Sequence, residues 1–287
     1  MKKNSIYLAI SGTILTIGAL VFAASCHKTA ATTEDVGYAT EQAVADKTFN
    51  DVSSISDQAA TLTSGSSMNY RTASTTLGGC ATVTKDSTVS GGVTTYTITI
   101  DFGTTDCLCL DGRYRRGQII VTHTGHYADS GSIRTITFNN FYQNDNKVEG
   151  SKTVQNMGHN SLGQPYFDVT INSTITMVTG AVKLANWTRV RTWTAGYTND
   201  SDRSGDVYSI TGTGTLTRAN GTVVNCNIPV ATPLIVAHSC KWIEAGTIIY
   251  TLPDGKTRTL NYGNTPSCDD MATVTLPNGT TRNITLP

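Results

Sequence analysis

The 287-residue chain carries 21 basic and 21 acidic side chains, so its formal net charge is zero. It lacks the excess of Lys and Arg on which nucleic-acid-binding proteins depend, and this excludes a nucleic-acid partner. Threonine supplies 50 residues and glycine 26, whereas charged side chains make up only 15% of the chain. Because threonine is β-branched and favours strands, this composition excludes a helical bundle and a charged disordered tail, and it predicts an all-β protein.

The first 26 residues have the pattern of an export signal followed by a cysteine. The segment opens on Lys2 and Lys3, residues 6–22 are uncharged and mostly apolar, and three small residues precede Cys26. This resembles a bacterial lipobox and predicts a signal peptide over residues 1–25 and lipidation of Cys26. Because several acyl chains anchor a protein stably, we expect attachment to the cell envelope, at the periplasmic or surface face of the outer membrane. An uncleaved transmembrane helix and an ordinary secretory signal are the alternatives.

The cysteine spacing predicts a disulfide framework. Seven cysteines are present, and lipidation of Cys26 leaves an even number for pairing. Cys107 follows Cys80 by 27 residues and Cys268 follows Cys240 by 28, and each second cysteine comes after a similar strand-like phrase that ends at glycine. The repeat predicts the disulfides Cys80–Cys107 and Cys240–Cys268, with Cys109–Cys226 left as the third pair.

Two patterns leave metal binding as an alternative. Cys107 and Cys109 would face the same side of a strand, but zinc sites more often use two to four intervening residues, and an oxidising envelope favours disulfides. His123 and His126 stand around Gly125, so on a regular strand they face opposite sides, and a shared metal would need a bulge at the glycine. We therefore predict two exposed strand histidines, no metal and no cofactor.

The residues after Cys26 predict a tether, a helix and a linker that together span 26–79. Acidic residues follow Thr33 in a first helical turn. Apolar residues then recur at helical spacing and predict one amphipathic helix over 33–60. They are Ala43, Val44, Phe49, Val52, Ile55 and Ala59. Residues 62–79 are rich in Ser, Thr and Gly and are interpreted as a linker.

From Cys80 to the C-terminus, period-2 alternation and turn signals predict a single antiparallel β domain over 80–287, with the repeated module at 80–107 and 240–268. Asn-Gly and Asp-Gly pairs mark the tightest turns. The candidate strands are 81–86, 93–102, 117–127, 132–142, 147–157, 165–178, 182–196, 206–218, 222–228, 233–239, 246–252, 256–262, 271–276 and 280–286. Since no helical pattern separates them, consecutive strands should pair as a meander that forms a large curved sheet, a sandwich or a partly open barrel.

One strand carries a candidate binding face. Trp187, Arg189, Arg191 and Trp193 alternate with Thr188, Val190 and Thr192, so the two indoles and the two guanidinium groups share one side of the strand. Such a surface can stack on the apolar faces of sugars, and its arginines can bind acidic glycans. The alternative is a structural cation–π ladder in which the arginine side chains spread over the indole rings.

Patterns typical of catalysis are missing from the sequence. It contains no Gly-x-Ser-x-Gly, no His-Glu-x-x-His and no phosphate-binding glycine loop. His238 precedes Ser239 and Cys240, but neighbouring residues in a strand face opposite ways, so they do not form a nucleophile and base. We therefore predict no catalytic residues.

The lipobox Cys26, the early helix and two cysteine-containing phrases resemble uncharacterised lipoproteins of Bacteroidota. The phrases are Cys-Leu-Cys-Leu-Asp-Gly-Arg-Tyr-Arg-Arg at residues 107–116 and Cys-Lys-Trp at residues 240–242. The resemblance implies no activity, cofactor or catalytic residue. We expect a non-enzymatic envelope lipoprotein with a structural or interaction role, held to a membrane through the lipid on Cys26. The alternative is a surface glycan-binding lipoprotein that uses the Trp187–Trp193 strand, and the possible partners are a glycan or an envelope protein.

Overall fold

In the computed structural model, the described residues form one long helix and one large antiparallel sheet. These residues are 33–63, 77, 79–126, 128–198 and 203–286. The predicted signal peptide, Cys26, the predicted tether and most of the predicted linker lie outside them. Helix α1 spans Thr33–Thr63 and confirms the helix predicted over 33–60.

The strands are numbered β1 to β15 in chain order. Their bounds are Thr82–Ser90, Val93–Asp101, Cys107–Leu108, Tyr114–His123, Ile133–Gln143, Asn146–His159, Pro165–Thr176, Val182–Ala195, Val207–Thr217, Val223–Ile228, Leu234–Ala237, Thr247–Thr251, Thr257–Asn261, Met271–Thr275 and Thr281–Thr285. A short 3₁₀ helix lies between β8 and β9, at Arg203–Gly205. The two-residue strand β3 has no counterpart among the predicted strands.

The sheet is an antiparallel meander, as predicted. Its strands run in the order β1-β2-β4-β5-β6-β7-β8-β9-β10-β12-β13-β14-β15, while β3 pairs only with β4 and β11 pairs with β9. Among the predicted alternatives, the structure has the large curved sheet, which stays open and does not close into a barrel. Short hairpin turns explain this order, because two adjacent strands joined by a tight turn can only pair antiparallel.

The outer face of the sheet, which is turned away from α1, accounts for much of the threonine content. Across seven neighbouring strands, from β2 to β9, threonines stand directly opposite one another. The row consists of Thr97, Thr122, Thr135, Thr153, Thr170, Thr188 and Thr213. Cross-strand threonine pairs stabilise a sheet by roughly 0.2–1 kcal/mol each, and their hydroxyl groups tolerate water.

The inner face of the sheet packs against α1 and forms the core. Phe49, Val52 and Ile55 of α1 are at most 2% exposed, as are Ile119 of β4 and Ile171 of β7. Burying such a side chain contributes roughly 1.5–3 kcal/mol. Polar residues of α1 are buried as well, among them Gln42, Asp46 and Ser56. The apolar stripe predicted for the helix is therefore buried against the sheet, and the buried polar residues widen that face.

The helix and the inner face carry opposite charges. Six of the 31 residues of α1 are acidic and one is basic. Four of the acidic side chains form ion pairs with the sheet or its loops. The pairs are Glu41 with Arg218 and Lys183, Asp46 with Arg189, Asp51 with Arg113, and Asp57 with Arg134 and Arg203. Charge complementarity therefore sets the position of α1 along the sheet, in addition to apolar burial.

Two of the three predicted disulfides are confirmed. Cys80 is bonded to Cys107 and Cys240 to Cys268, with Cα–Cα distances of 5.6 and 5.7 Å. The third predicted pair is wrong, because Cys109 and Cys226 are free, buried thiols. Cys109 follows β3, which pairs with β4, whereas Cys226 lies on β10, and five strands separate β4 from β10 in the sheet. The Cys109–Cys226 bond was predicted only because these two cysteines remained after the other pairs were assigned, and the sequence alone contains no measure of the distance between them across the sheet.

Candidate functional site

The four side chains of the predicted binding face do share one side of β8, and that side is the inner one. Trp187 is 2% exposed, Arg189 5% and Trp193 9%. Arg189 forms an ion pair with Asp46 of α1, and its guanidinium lies 4.1 Å from the Trp187 ring centroid. The prediction of an open stacking surface for sugars is therefore wrong, and the cation–π alternative describes the contact. Alternation shows which side chains share a face, but it cannot show that a distant helix covers that face.

Arg191 connects this strand to a cleft beside α1. The cleft, called here the α1 cleft, has a volume of about 300 Å³. It lies between the second half of α1, the segment before β4, and residues 236–242, which include the end of β11 and the segment after it. Its charged and aromatic lining consists of Asp51, Asp57, Asp111, Arg113, Arg191, Tyr208, His238, Lys241 and Trp242.

Segments from both cysteine modules, or directly after them, line the α1 cleft. The disulfide Cys80–Cys107 secures the chain just before Asp111 and Arg113, and the disulfide Cys240–Cys268 secures the 238–242 segment. The cysteine phrases predicted two disulfides and a family resemblance but no binding site, and His238 was not predicted to act as a base. The signal that could have found the site was the charged and aromatic residues beside the cysteines: Asp111, Arg113, Lys241 and Trp242.

A network of charged hydrogen bonds stiffens one wall. Arg115 is completely buried and donates two hydrogen bonds to the Asp111 carboxylate, at 2.8 and 2.6 Å. Its Nε donates to Gln143, which in turn donates to Asp51 at 3.0 Å. Arg113 closes the ring by pairing with Asp51, and its other acidic neighbour is Asp111 at 3.6 Å. A ring of this kind holds the donors and acceptors of the cleft in fixed directions.

Two acidic groups of the α1 cleft, Asp57 and Asp111, have a lowered pKa. Burial by itself would raise the pKa of Asp57, but the charges of Arg203 and Arg134 hold the pKa at about 2. Burial would also raise the pKa of Asp111, and its hydrogen bonds from Arg115 lower it below the usual value. A general acid at neutral pH needs a raised pKa instead. These two carboxylates are therefore suited to accepting hydrogen bonds and not to donating a proton.

The α1 cleft combines three kinds of groups that bind a polar ligand. Its carboxylates accept hydrogen bonds, its arginines donate them, and Trp242 offers a half-buried aromatic face. The ammonium group of Lys241 lies 4.0 Å from the Trp242 ring centroid and keeps one charge beside that face. Hydroxyl-rich molecules with an apolar ring face match this set of groups.

The predicted placement of the two histidines is only partly right. His123 ends β4 on the inner face and is half-buried, while His126 is exposed in the following turn. Both line a second cleft, although alternation places them on opposite sides, because the strand stops at His123. Among the described residues, the side chains of Cys240, Glu244 and Cys268 lie close enough together to hold a metal, but the two sulfurs are bonded to each other.

Comparison with known proteins returns no match: no family model fits the chain, and no curated protein or solved structure is significantly similar to it. Among the described residues, α1 is the one long helix, and it is not apolar enough to cross a membrane.

Proposed function

We propose that this chain is a lipid-anchored protein of the bacterial cell envelope and that its β domain is a non-catalytic interaction module. The export pattern and Cys26 support the anchor, and the two disulfides are typical of proteins that fold in an oxidising compartment. Balanced charge supports attachment through the lipid, since the chain has no basic excess that would add a second membrane signal.

The α1 cleft carries the proposal for the interaction. Asp51, Asp57, Asp111 and Arg113 are already ion-paired within the protein, so these groups offer directed hydrogen bonds, and the lowered pKa of Asp57 does not suit a general acid. Trp242, Arg113 and Arg191 supply the aromatic face and the donors that a glycan requires. A glycan is therefore the ligand class that this cleft fits best. The proposed glycan site is the open α1 cleft and not the buried face of β8 that the sequence predicted.

Glycan-array binding of the mature protein tests the proposed ligand class. We expect Trp242→Ala to reduce binding at least tenfold, because a stacked aromatic contact and its buried area contribute more than about 1.4 kcal/mol. Tyr166→Ala is the matched control, since Tyr166 is a half-buried aromatic residue outside the cleft. Binding to no glycan, or equal binding by Trp242→Ala and the wild type, contradicts the proposal.

The anchor is tested separately in cells. A clickable fatty acid should label the wild-type protein, and Cys26→Ser should abolish the label and release the protein from the membrane fraction. Label that persists in Cys26→Ser would rule out lipidation at this residue. Cys109→Ser is the control, because that cysteine is buried and should not affect labelling.

A further inference from the structure

A second cleft lies at the C-terminal half of α1 and differs in chemistry from the α1 cleft. Its volume is about 660 Å³, and it is bordered by β1, β2, the end of β4 and the start of β5. Its charged lining is mostly basic and consists of Lys85, His123, His126, Arg134 and Arg203, with Asp57 as the acidic member. We call it the basic cleft.

Strand register creates one wall of the basic cleft. Tyr96, His123 and Arg134 stand directly opposite one another on β2, β4 and β5. The rings of Tyr96 and His123 are stacked, with centroids 5.1 Å apart, and the Lys85 ammonium lies 4.8 Å from the Tyr96 centroid. Three basic side chains and one aromatic ring therefore line adjacent strands of the same face.

Asp57 sets the floor of the cleft and its charge balance. Its carboxylate is paired with Arg134 and lies 3.5 Å from Arg203, and Arg203 is also paired with Asp206 at 3.1 Å. Among the described groups, Lys85 and these two arginines against Asp57 and Asp206 give a net charge of +1 before either histidine is protonated. A phosphomonoester carries about −1.5 to −2 at neutral pH, so its binding together with protonation of one histidine would neutralise the cleft.

The volume of the basic cleft indicates a ligand larger than an inorganic anion. A volume of 660 Å³ falls in the range of sites for small organic ligands. Val93, Tyr96 and Ile98 add apolar and aromatic surface beside the charged groups. The organic part of a small ester can lie against this surface while the phosphate faces the basic side chains.

We propose that the basic cleft binds the phosphomonoester group of a soluble, sugar-sized molecule, with Lys85, His123 and His126 as its direct ligands and Arg134 and Arg203 as fixed positive charges. This site shares Asp57 with the α1 cleft, but its proposed phosphate ligands are different residues and it does not depend on the proposed glycan binding. Arginine and lysine bind phosphate through charge-assisted hydrogen bonds, each roughly twice as strong as a neutral one.

His123 makes the binding dependent on pH. Its Nδ1 donates to the Gly125 carbonyl at 2.8 Å, so only protonation of Nε2 creates a second donor. Burial lowers the pKa of His123, and the charges of Arg134, Lys85 and His126 lower it further. The remaining charged groups around the two histidines are Asp57 of α1, Arg203, and Asp129, which accepts a hydrogen bond from the His126 amide. A bound phosphate opposes these effects, so binding should take up a proton.

Calorimetric titration with glucose 6-phosphate tests the proposal, with glucose as the neutral probe. We expect the phosphate ester to bind and glucose not to bind at the same concentration. Lys85→Gln should weaken binding roughly tenfold, the effect of losing one charged hydrogen bond. Lys256→Gln is the matched control, because Lys256 is an exposed lysine in the β12–β13 hairpin. The folded state of each variant is checked by its urea midpoint.

The pH dependence and the source of the phosphate give independent readouts. Binding should be several-fold tighter at pH 6.5 than at pH 8, although the ester is only mostly dianionic at pH 6.5 and fully dianionic at pH 8. The double variant H123Q/H126Q should lose this dependence. No binding of glucose 6-phosphate at millimolar concentration overturns the proposal. It is also overturned if Lys85→Gln and Lys256→Gln bind equally, or if the protein binds vesicles containing phosphatidic acid but not the soluble ester.

Discussion

The guanidinium of Arg189 on β8 is ion-paired with the carboxylate of Asp46 on α1, 143 residues earlier in the chain. Both side chains are almost completely buried, at 5% and 2% exposure. The guanidinium also lies over the Trp187 ring, 4.1 Å from its centroid. The pair therefore links the helix to the centre of the sheet in a region from which water is excluded.

Breaking this pair should destabilise the protein strongly. Asp46→Asn or Arg189→Met alone leaves one buried charge without its partner, and each should lower the free energy of unfolding by about 3–5 kcal/mol. The double variant D46N/R189M should lose less unfolding free energy than the two single variants lose together, because it removes both charges. Urea unfolding of the four proteins forms a double-mutant cycle. A single-variant cost below about 1 kcal/mol, or strict additivity, contradicts the description of a buried, coupled pair.

Lys152 should make stability depend on pH. It is buried beneath α1, where it donates to the Phe49 carbonyl at 3.3 Å and to the Ser53 hydroxyl. Burial lowers its pKa from 10.5 to about 7, and the charges of Arg191 and Arg189 add to this effect. Between pH 7 and 10.5 the unfolded chain therefore holds a proton that the folded protein has released, so stability rises with pH across this window.

Lys152→Met should remove that dependence. Below pH 7 the lysine is charged in both states, and the folded protein bears the full cost of burying the charge. We expect the variant to be more stable than the wild type at pH 7, by about 1–4 kcal/mol, and the difference to shrink at pH 9.5. Urea unfolding at both pH values provides the measurement, with the exposed Lys256→Met as control. A difference that does not change with pH would mean that Lys152 has an ordinary pKa.

Thiol counting should separate the observed cysteine pairing from the predicted one. Burial raises the pKa of Cys109, and it raises the pKa of Cys226 to about 12. Neither thiol should react with a disulfide reagent in the folded protein at pH 8. In urea, without reductant, the Cys26→Ser variant should release two thiols per chain. A count of zero thiols would show that Cys109 and Cys226 are bonded to each other, as the sequence predicted.

Gly214 should not tolerate a side chain. It stands opposite Trp187 in the β8–β9 pair, and a Cβ at this position would lie 2.7 Å from Cγ of that indole and 2.5 Å from the Asn186 carbonyl oxygen. Gly214→Ala must therefore displace either a buried ring or a strand backbone, and we expect a loss of about 1–3 kcal/mol. Thr213→Ala on the exposed side of the same strand is the control and should cost less than 1 kcal/mol. Near-UV circular dichroism should report the altered packing around Trp187, and an unchanged spectrum with unchanged stability would contradict this prediction.

Local patterns accounted for most of the elements. The helix over 33–60, the antiparallel meander and the disulfides Cys80–Cys107 and Cys240–Cys268 follow from periodicities and spacings of at most about 30 residues. The short strand β3 was not predicted, because two residues are too few to show an alternating pattern. The bond assigned to Cys109 and Cys226 failed because it rested on elimination and not on a local pattern.

The candidate sites are formed by residues that lie far apart in the chain. Arg191 and Trp242 meet Asp51 across the α1 cleft, and His123 meets Lys85 and Asp57 in the basic cleft. Strand periodicity indicated that Trp187 and Trp193 share a face, but only the folded structure shows that α1 covers that face. The residues left open to ligands were consequently not those that the sequence singled out.

The sequence by itself determined the all-β composition, the single early helix and the repeated cysteine module, because these reflect propensities and spacings that act over one turn or one hairpin. Only the tertiary structure decided that four acidic side chains of α1 meet basic partners on the sheet and its loops, that two thiols stay free, and that two clefts of different charge remain beside the helix. The physical reason is that ion pairing and burial depend on distances between strands, and these distances are set by the register and curvature of the whole sheet.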